Sequence, residues 1–192
     1  LRRYKGVDWV FRALPGVLEA VDAGEIKIST LHNFCPLPIG VNHAAPNLFK
    51  FTSTEARERE NAYRHSLKTI ETAARLKAQL VVLHMGCIEM KDYTEKLIAM
   101  VESGDKEGPK YRKLCEEAEA KREQKKERPV ELANEMLARL VEQAQVRGIK
   151  LGIENREALE EIPLESDFAF FFRAFNTPTV RSSGSYGPYF CQ

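Results

Sequence analysis

Three residues of this sequence carry ligating or proton-transferring side chains where turn residues would be expected. His32 ends "ISTLH", His84 ends "LVVLH" and Glu154 ends "KLGIE". Each closes a short apolar or β-branched run of the kind that forms a buried strand, and such strands ordinarily stop in turn residues. A carboxylate there costs free energy unless a metal, a cationic partner or a substrate compensates it. Two imidazoles and one carboxylate suit a divalent metal. Imidazole favours Zn, Fe, Co or Mn, and the carboxylate widens the choice towards harder ions such as Mg. Each residue alone has a plainer reading: a satisfied polar group for either histidine, an ion pair with Arg156 for Glu154. Their recurrence on three successive strands favours the metal. Of the remaining candidates, His65 reads as solvated on a polar helix face and His43 as a loop residue away from the site. Cys87 reads as a small apolar filler.

The elements must bring these strand ends together. Residues 8–22 predict a helix, with Trp9, Val10, Leu14, Val17, Leu18 and Val21 at helical spacing, a break or restart at Pro15 and a stop at Gly24. Residues 25–34 predict a strand, and 33–53 a long loop. A strong helix follows over 53–76, capped by Ser53 or Thr54, with Ala56, Tyr63, Leu67, Ile70, Ala74 and Leu76 on its apolar face. Next come a buried strand at 78–86 and a short helix at 94–103 closed by Gly104. Residues 105–128 hold seven acidic and nine basic side chains. Mixed signs with one aromatic read as a solvated, partly helical insertion rather than a nucleic-acid patch. A helix at 129–147 with Leu132, Met136, Leu137, Leu140, Val141 and Ala144 inward leads to a strand at 149–154. A helix at 165–175 buries Phe168, Phe171, Phe172 and Phe175, and 178–181 opens a further strand.

Alternating helices and strands imply right-handed βαβ units and a parallel sheet. Both a (β/α) barrel and an open doubly wound sheet fit. No G-x-G-x-x-G or P-loop pattern follows any strand, which weighs against nucleotide-binding versions. In either fold the C-terminal strand ends share one face, so His32, His84 and Glu154 converge.

The chain has 192 residues, 43% apolar and 30% charged, which suffices for one sizeable core. A net charge of +1 supplies no basic field for nucleic acid. The cysteines at 35, 87, 115 and 191 form no CxxC motif and read as free thiols of a cytoplasmic protein. No apolar run is long enough to span a bilayer, so no membrane partner is expected.

The stretches "ISTLHNFCPLP", "TIETAARLKAQLVVLHMG" and "GIKLGIENRE" resemble the xylose isomerase-like TIM-barrel superfamily, which holds sugar-phosphate isomerases and epimerases as well as AP endonucleases. The resemblance covers roughly residues 25–180 and implies strands two to five of eight. It implies that Glu154 is a metal ligand and a catalytic group. His84 and His32 would be further ligands, with His32 also able to face substrate. Asn155 and Arg156 would be substrate-facing, Arg156 offering a planar fork to phosphate or carboxylate. The implied cofactor is a divalent metal ion, Mn, Zn, Co or Mg, and the implied partner a small sugar or sugar phosphate.

A complete barrel needs eight strands and typically about 250 residues. The sequence therefore reads as one incomplete (β/α) barrel domain over 1–181, with an atypical Ser/Gly/Tyr-rich tail at 182–192. No Asp, Glu or His follows Asp167, so the expected second catalytic carboxylate has no candidate. A piece of a longer barrel, or a reading frame that shifts near Val180, accounts for both features. Open strand edges on a partial barrel invite homo-oligomerisation. The leading expectation is a metal-dependent sugar or sugar-phosphate isomerase or epimerase, moving a proton next to a carbonyl through a metal-stabilised enediolate. The alternatives are an AP-endonuclease-like phosphodiester hydrolase and a non-catalytic barrel remnant that binds a partner.

Overall fold

The structure is a computed structural model and describes residues 15–33, 48–106, 108–175 and 177–183. Trp9, Val10, Leu14, His43, Cys35, Cys191 and most of the 182–192 tail lie outside the described residues.

A helix covering 15–22 (α1) leads to strand β1 (Thr30–His32), and α2 (Ala56–Arg75) to β2 (Leu80–Leu83). A short strand β3 (Gly86–Cys87) precedes α3 (Thr94–Glu102), α4 (Pro109–Lys125) and α5 (Glu127–Val146). Strand β4 (Lys150–Glu154), β5 (Glu161–Ile162), a 3-10 turn (Glu165–Asp167), α6 (Phe168–Ala174) and β6 (Val180–Ser183) complete the described chain.

Four strands form one sheet in the order β1-β2-β4-β6, each neighbouring pair parallel. That order follows the chain and never reverses. A doubly wound sheet reverses at a switch point. With right-handed crossovers, a sheet wound in one sense puts its helices on one face. There α2 packs against α5. The two folds left open by the sequence are thereby separated: this is the winding of a (β/α) barrel, present in part.

Side chains alternate along each strand. Leu31, Val81, Leu151 and Val180 share one row. With Leu83 and Ile153 they join the core beneath α2 and α5, built on Ile70, Leu137 and Leu140. The opposite face carries His32, Val82 and Gly152 in one row, and the same alternation brings His84 and Glu154 to that face.

Several expectations shift. The strand expected over 25–34 shrinks to Thr30–His32. On α2 the buried residues are Ala62, Ser66, Ile70 and Ala73, while Ala56 is exposed. The buried stripe is thus rotated towards small residues that let the helix lie close to the sheet. Neither Ser53 nor Thr54 is the residue before the helix, which is Glu55. Ser53 Oγ still accepts the Glu55 N–H at 3.1 Å and donates to Glu58 Oε2 at 2.7 Å.

Helix α4 was expected to be a solvated insertion. Most of its residues are exposed, but it also packs inward through Tyr111, Ala118 and Arg122. Of the four phenylalanines expected to be buried in the last helix, only Phe171 is fully so; Phe168, Phe172 and Phe175 pack half-buried against the core. The antiparallel pairing of β3 with β5 had no signal in the sequence. It requires glycine at 86, where φ is +121° and a Cβ would stand 2.6 Å from Thr52 Oγ1. Gly24, Gly104 and Gly148 close their helices as expected.

Candidate metal centre

Each member of the triad is placed by its strand. Just past β1, Asn33 donates its backbone N–H to Val82 O at 2.7 Å. Its side-chain amide donates to the buried Ser66 Oγ of α2 at 3.0 Å. Those bonds fix the residue beside His32 between sheet and helix. His84 follows β2 directly, and Glu154 is the last residue of β4.

The three side chains meet. His32 Nε2 lies 3.0 Å from Glu154 Oε2, His84 Nε2 lies 3.3 Å from the same oxygen, and the two Nε2 atoms are 3.2 Å apart. The imidazoles cross edge to face with centroids 4.6 Å apart. Side-chain exposure falls from 50% at His32 to 19% at Glu154 and 16% at His84, so the site opens on the His32 side.

The donor set fits a divalent cation. With metal–ligand bonds of about 2.1 Å, neighbouring donors sit about 3.0 Å apart in an octahedron and about 3.4 Å apart in a tetrahedron. The observed edges of 3.0, 3.2 and 3.3 Å fall between those values. Metal binding also needs a neutral imidazole. Burial, then the charges of Arg156 and His32, push His84 down to about 4, which keeps its imidazole neutral at neutral pH. Among the described residues this is the one group of three or more such side chains close enough to share an ion.

Arg156 sits inside this cluster. Its Nη1 approaches His84 Nε2 at 3.1 Å and Glu154 Oε2 at 3.6 Å, and its Nε donates to Glu161 Oε1 at 3.2 Å. The ion pair weighed for Glu154 is thus present alongside the triad. Asn155 is half-buried in the loop between Glu154 and Arg156.

That loop is pinned by residues the sequence reading passed over. Glu160 accepts from the backbone N–H groups of Tyr93 and Thr94 and from Thr94 Oγ1, at 2.7, 3.2 and 2.7 Å. It caps α3 from a distant loop, where a carboxylate also complements the helix dipole. Arg122 Nη2 donates to Glu161 O at 3.0 Å and to Asp167 Oδ2 at 2.5 Å. Two consecutive glutamates before a buried Ile-Pro were the available signal.

The other candidates lie elsewhere. His65 is not simply solvated: its ring stacks on Phe49 with centroids 5.4 Å apart, and burial lowers its pKa. Cys87 is half-buried and lines a shallow cavity with Lys50, Lys125 and Arg128, which no triad member lines. No helix among the described residues is long and apolar enough to cross a membrane.

No family model matches the sequence, and comparison with curated proteins also gives no match. Solved structures do match. A D-tagatose 3-epimerase-like protein superposes with a TM-score of 0.57 at 16% identity, over 90% of this chain and 50% of its own. The 3-keto-D-glucoside 4-epimerase of E. coli gives 0.56 at 10% identity, over 90% and 53%. A D-psicose 3-epimerase in the presence of D-fructose gives 0.54 at 14% identity, over 88% and 47%. The chain spans about half the length of these proteins. It carries, in part, the (β/α) barrel fold of these structures, with four parallel strands in barrel order.

Proposed function

We propose that this chain carries the metal-binding part of a sugar or sugar-phosphate isomerase or epimerase, which moves a proton on a carbon next to a carbonyl. The observation that carries the reading is the His32–His84–Glu154 triangle at the C-terminal ends of three adjacent parallel strands. In barrels that end of the sheet is where chemistry is built. The likeness to structures named as sugar epimerases supports the substrate class.

His32, His84 and Glu154 hold the ion, which is Mn, Zn, Co or Mg. When bound, such an ion polarises substrate oxygens and stabilises the negative charge that develops as the carbon loses its proton. Glu154 turns Oε2 towards the imidazoles. Its other oxygen is the proton acceptor in this reading. His32, the most exposed member, faces the incoming sugar, and Asn155 offers amide hydrogen bonds to its hydroxyls. The buried Val82 stands beside His32 in the same cross-strand row.

The test is deuterium wash-in. The full chain is incubated in D2O with each metal and a panel of ketohexoses and ketose phosphates. Proton NMR then follows the carbon-bound hydrogen next to the carbonyl. Metal-dependent exchange that disappears in E154Q is expected. Metal binding with no exchange on any member of the panel would refute the isomerase reading and leave a metal-binding module.

A further inference from the structure

Arg156 and a metal cannot both use His84. A guanidinium in a protein is a donor only, so Arg156 Nη1, at 3.1 Å, donates and His84 Nε2 accepts. The lone pair that a cation needs from His84 is already engaged. The same nitrogen lies 3.6 Å from Glu154 Oε2 and partly offsets the one charge in the triad. A positive group thus stands against two of the three donors.

The other end of the guanidinium is anchored. Arg156 Nε donates to Glu161 Oε1 at 3.2 Å. Glu161 is buried, 8% exposed, on the β5 strand that pairs with β3. Its Oε2 accepts the Ala158 N–H at 3.4 Å, and its backbone carbonyl is held by Arg122. A fixed carboxylate on Nε gives the side chain a pivot. Nη1 can leave His84 while the Glu161 contact persists.

We infer that Arg156 is a built-in counter-cation of the triad. It holds His84 and Glu154 in place while the site is free of metal, competes with the metal for them, and withdraws onto Glu161 when the metal enters. The inference rests on the metal-centre reading above. It departs from the role of a phosphate fork, because Nη1 and Nε, two of the groups that would grip a phosphate, are turned towards His84, Glu154 and Glu161.

Charge accounting shows the direction. Glu154, Arg156 and Glu161 sum to −1 around the imidazoles; without Arg156 the sum is −2, and a divalent cation is held more strongly. A residue that merely supported a ligand would act oppositely, since removing such supports typically weakens metal binding about 10- to 100-fold. The sign of the change therefore separates the two roles.

The experiment titrates the metal-free full chain, R156M, R156K and H84A with Co2+, followed by visible absorption, and with Zn2+ by calorimetry. R156M is expected to bind on the order of tenfold more tightly, the scale on which groups around a metal act. R156K keeps the charge without the two-ended reach and should fall between wild type and R156M. It also carries the comparison should R156M fold poorly. Wild-type binding that H84A abolishes, with R156M and R156K equal to or weaker than wild type, overturns the inference alone. Absence of binding in wild type, R156M and R156K overturns the metal-centre reading and the inference with it.

Discussion

Replacing Arg122 by Met tests whether the charged helix α4 is structural. Arg122 is 4% exposed and Asp167 0%, with Nη2 and Oδ2 2.5 Å apart. Removing the guanidinium leaves a carboxylate in the interior, which typically costs about 3–5 kcal/mol. Two partners soften the loss. Lys126 Nζ lies 3.5 Å from Oδ1, and the Leu164 N–H donates to Oδ2 at 2.9 Å. The low end, about 3 kcal/mol, is therefore expected. For a chain of this size that is a fall of roughly 6–12 °C in Tm, at about 2–4 °C per kcal/mol. It is also a large share of a typical net stability of about 5–15 kcal/mol.

The double variant R122M/D167N sharpens the test. It removes both charges and keeps an oxygen for the Leu164 N–H. Arg122 Nε and Nη1 are buried without hydrogen-bond partners, so Met at 122 forfeits nothing at those atoms. The double variant should recover at least half of the loss, about 1.5 kcal/mol, because a buried pair is worth far less than the cost of orphaning one member. Urea denaturation followed by circular dichroism measures both, with an unchanged m-value as the control. A single variant within 1 kcal/mol of wild type, or a double variant as damaged as the single, would refute the reasoning.

Three further outcomes are expected. Glu160→Ala removes the carboxylate that caps α3 with three hydrogen bonds and should cost about 1–2 kcal/mol, read as a lower urea midpoint. Lys77 ends α2 at φ +54°, with its N–H on Ala74 O and the Ala78 N–H on Ala73 O, the geometry that glycine adopts freely. Lys77→Gly should stabilise by about 0.5–1 kcal/mol, and a lower melting temperature would contradict it. His65 has its pKa lowered by burial first and Lys68 second, from an ordinary 6.5, so the folded state binds its proton less readily than the unfolded chain. Its contribution is fully present above about pH 6.5 and is lost as pH falls through the folded value. His65→Phe keeps the stack on Phe49 and should become progressively more stable relative to wild type below about pH 6.5; a difference independent of pH would exclude the mechanism.

Much of the sheet was legible because its signals are local. Apolar runs before His84 and Glu154 mark strands, and the period of two along them fixes which side chains share a face. Leu83 and Ile153 point to the helices, so their successors His84 and Glu154 must point away. Gly148 stopped α5 at the expected place, and the six residues of α5 expected to face inward are all buried, joined by Val130 and Ala133. Errors arose where local composition competed with tertiary contact. The stripe of α2 was drawn through Ala56, Tyr63, Leu67 and Ala74 as well as the buried Ile70 and Leu76, although Ala62, Ser66 and Ala73 are the further residues that the helix buries. Helix α4 looked solvated because Arg122 is one cation among nine in residues 105–128. Its partner Asp167 is 45 residues away, beyond the reach of periodicity.

Glu160 and Glu161 show why the surroundings of the site were harder to read than the triad. They are adjacent and identical in type, yet they do different work. Glu160 reaches 66 residues back to the start of α3, while Glu161 turns to Arg156 and presents its carbonyl to α4. Glu160 lies in the turn just before β5 and Glu161 opens the strand, so two equal residues meet unlike partners. Which glutamate faces Arg156 is decided by the β3–β5 register, in which Cys87 opposes Glu161 and Gly86 opposes Ile162. That register in turn depends on Gly86, where Thr52 leaves no space for a Cβ. The triad follows from three strand ends read one at a time. The hold on Arg156 follows only when α3, α4 and the β3–β5 pair act on one loop.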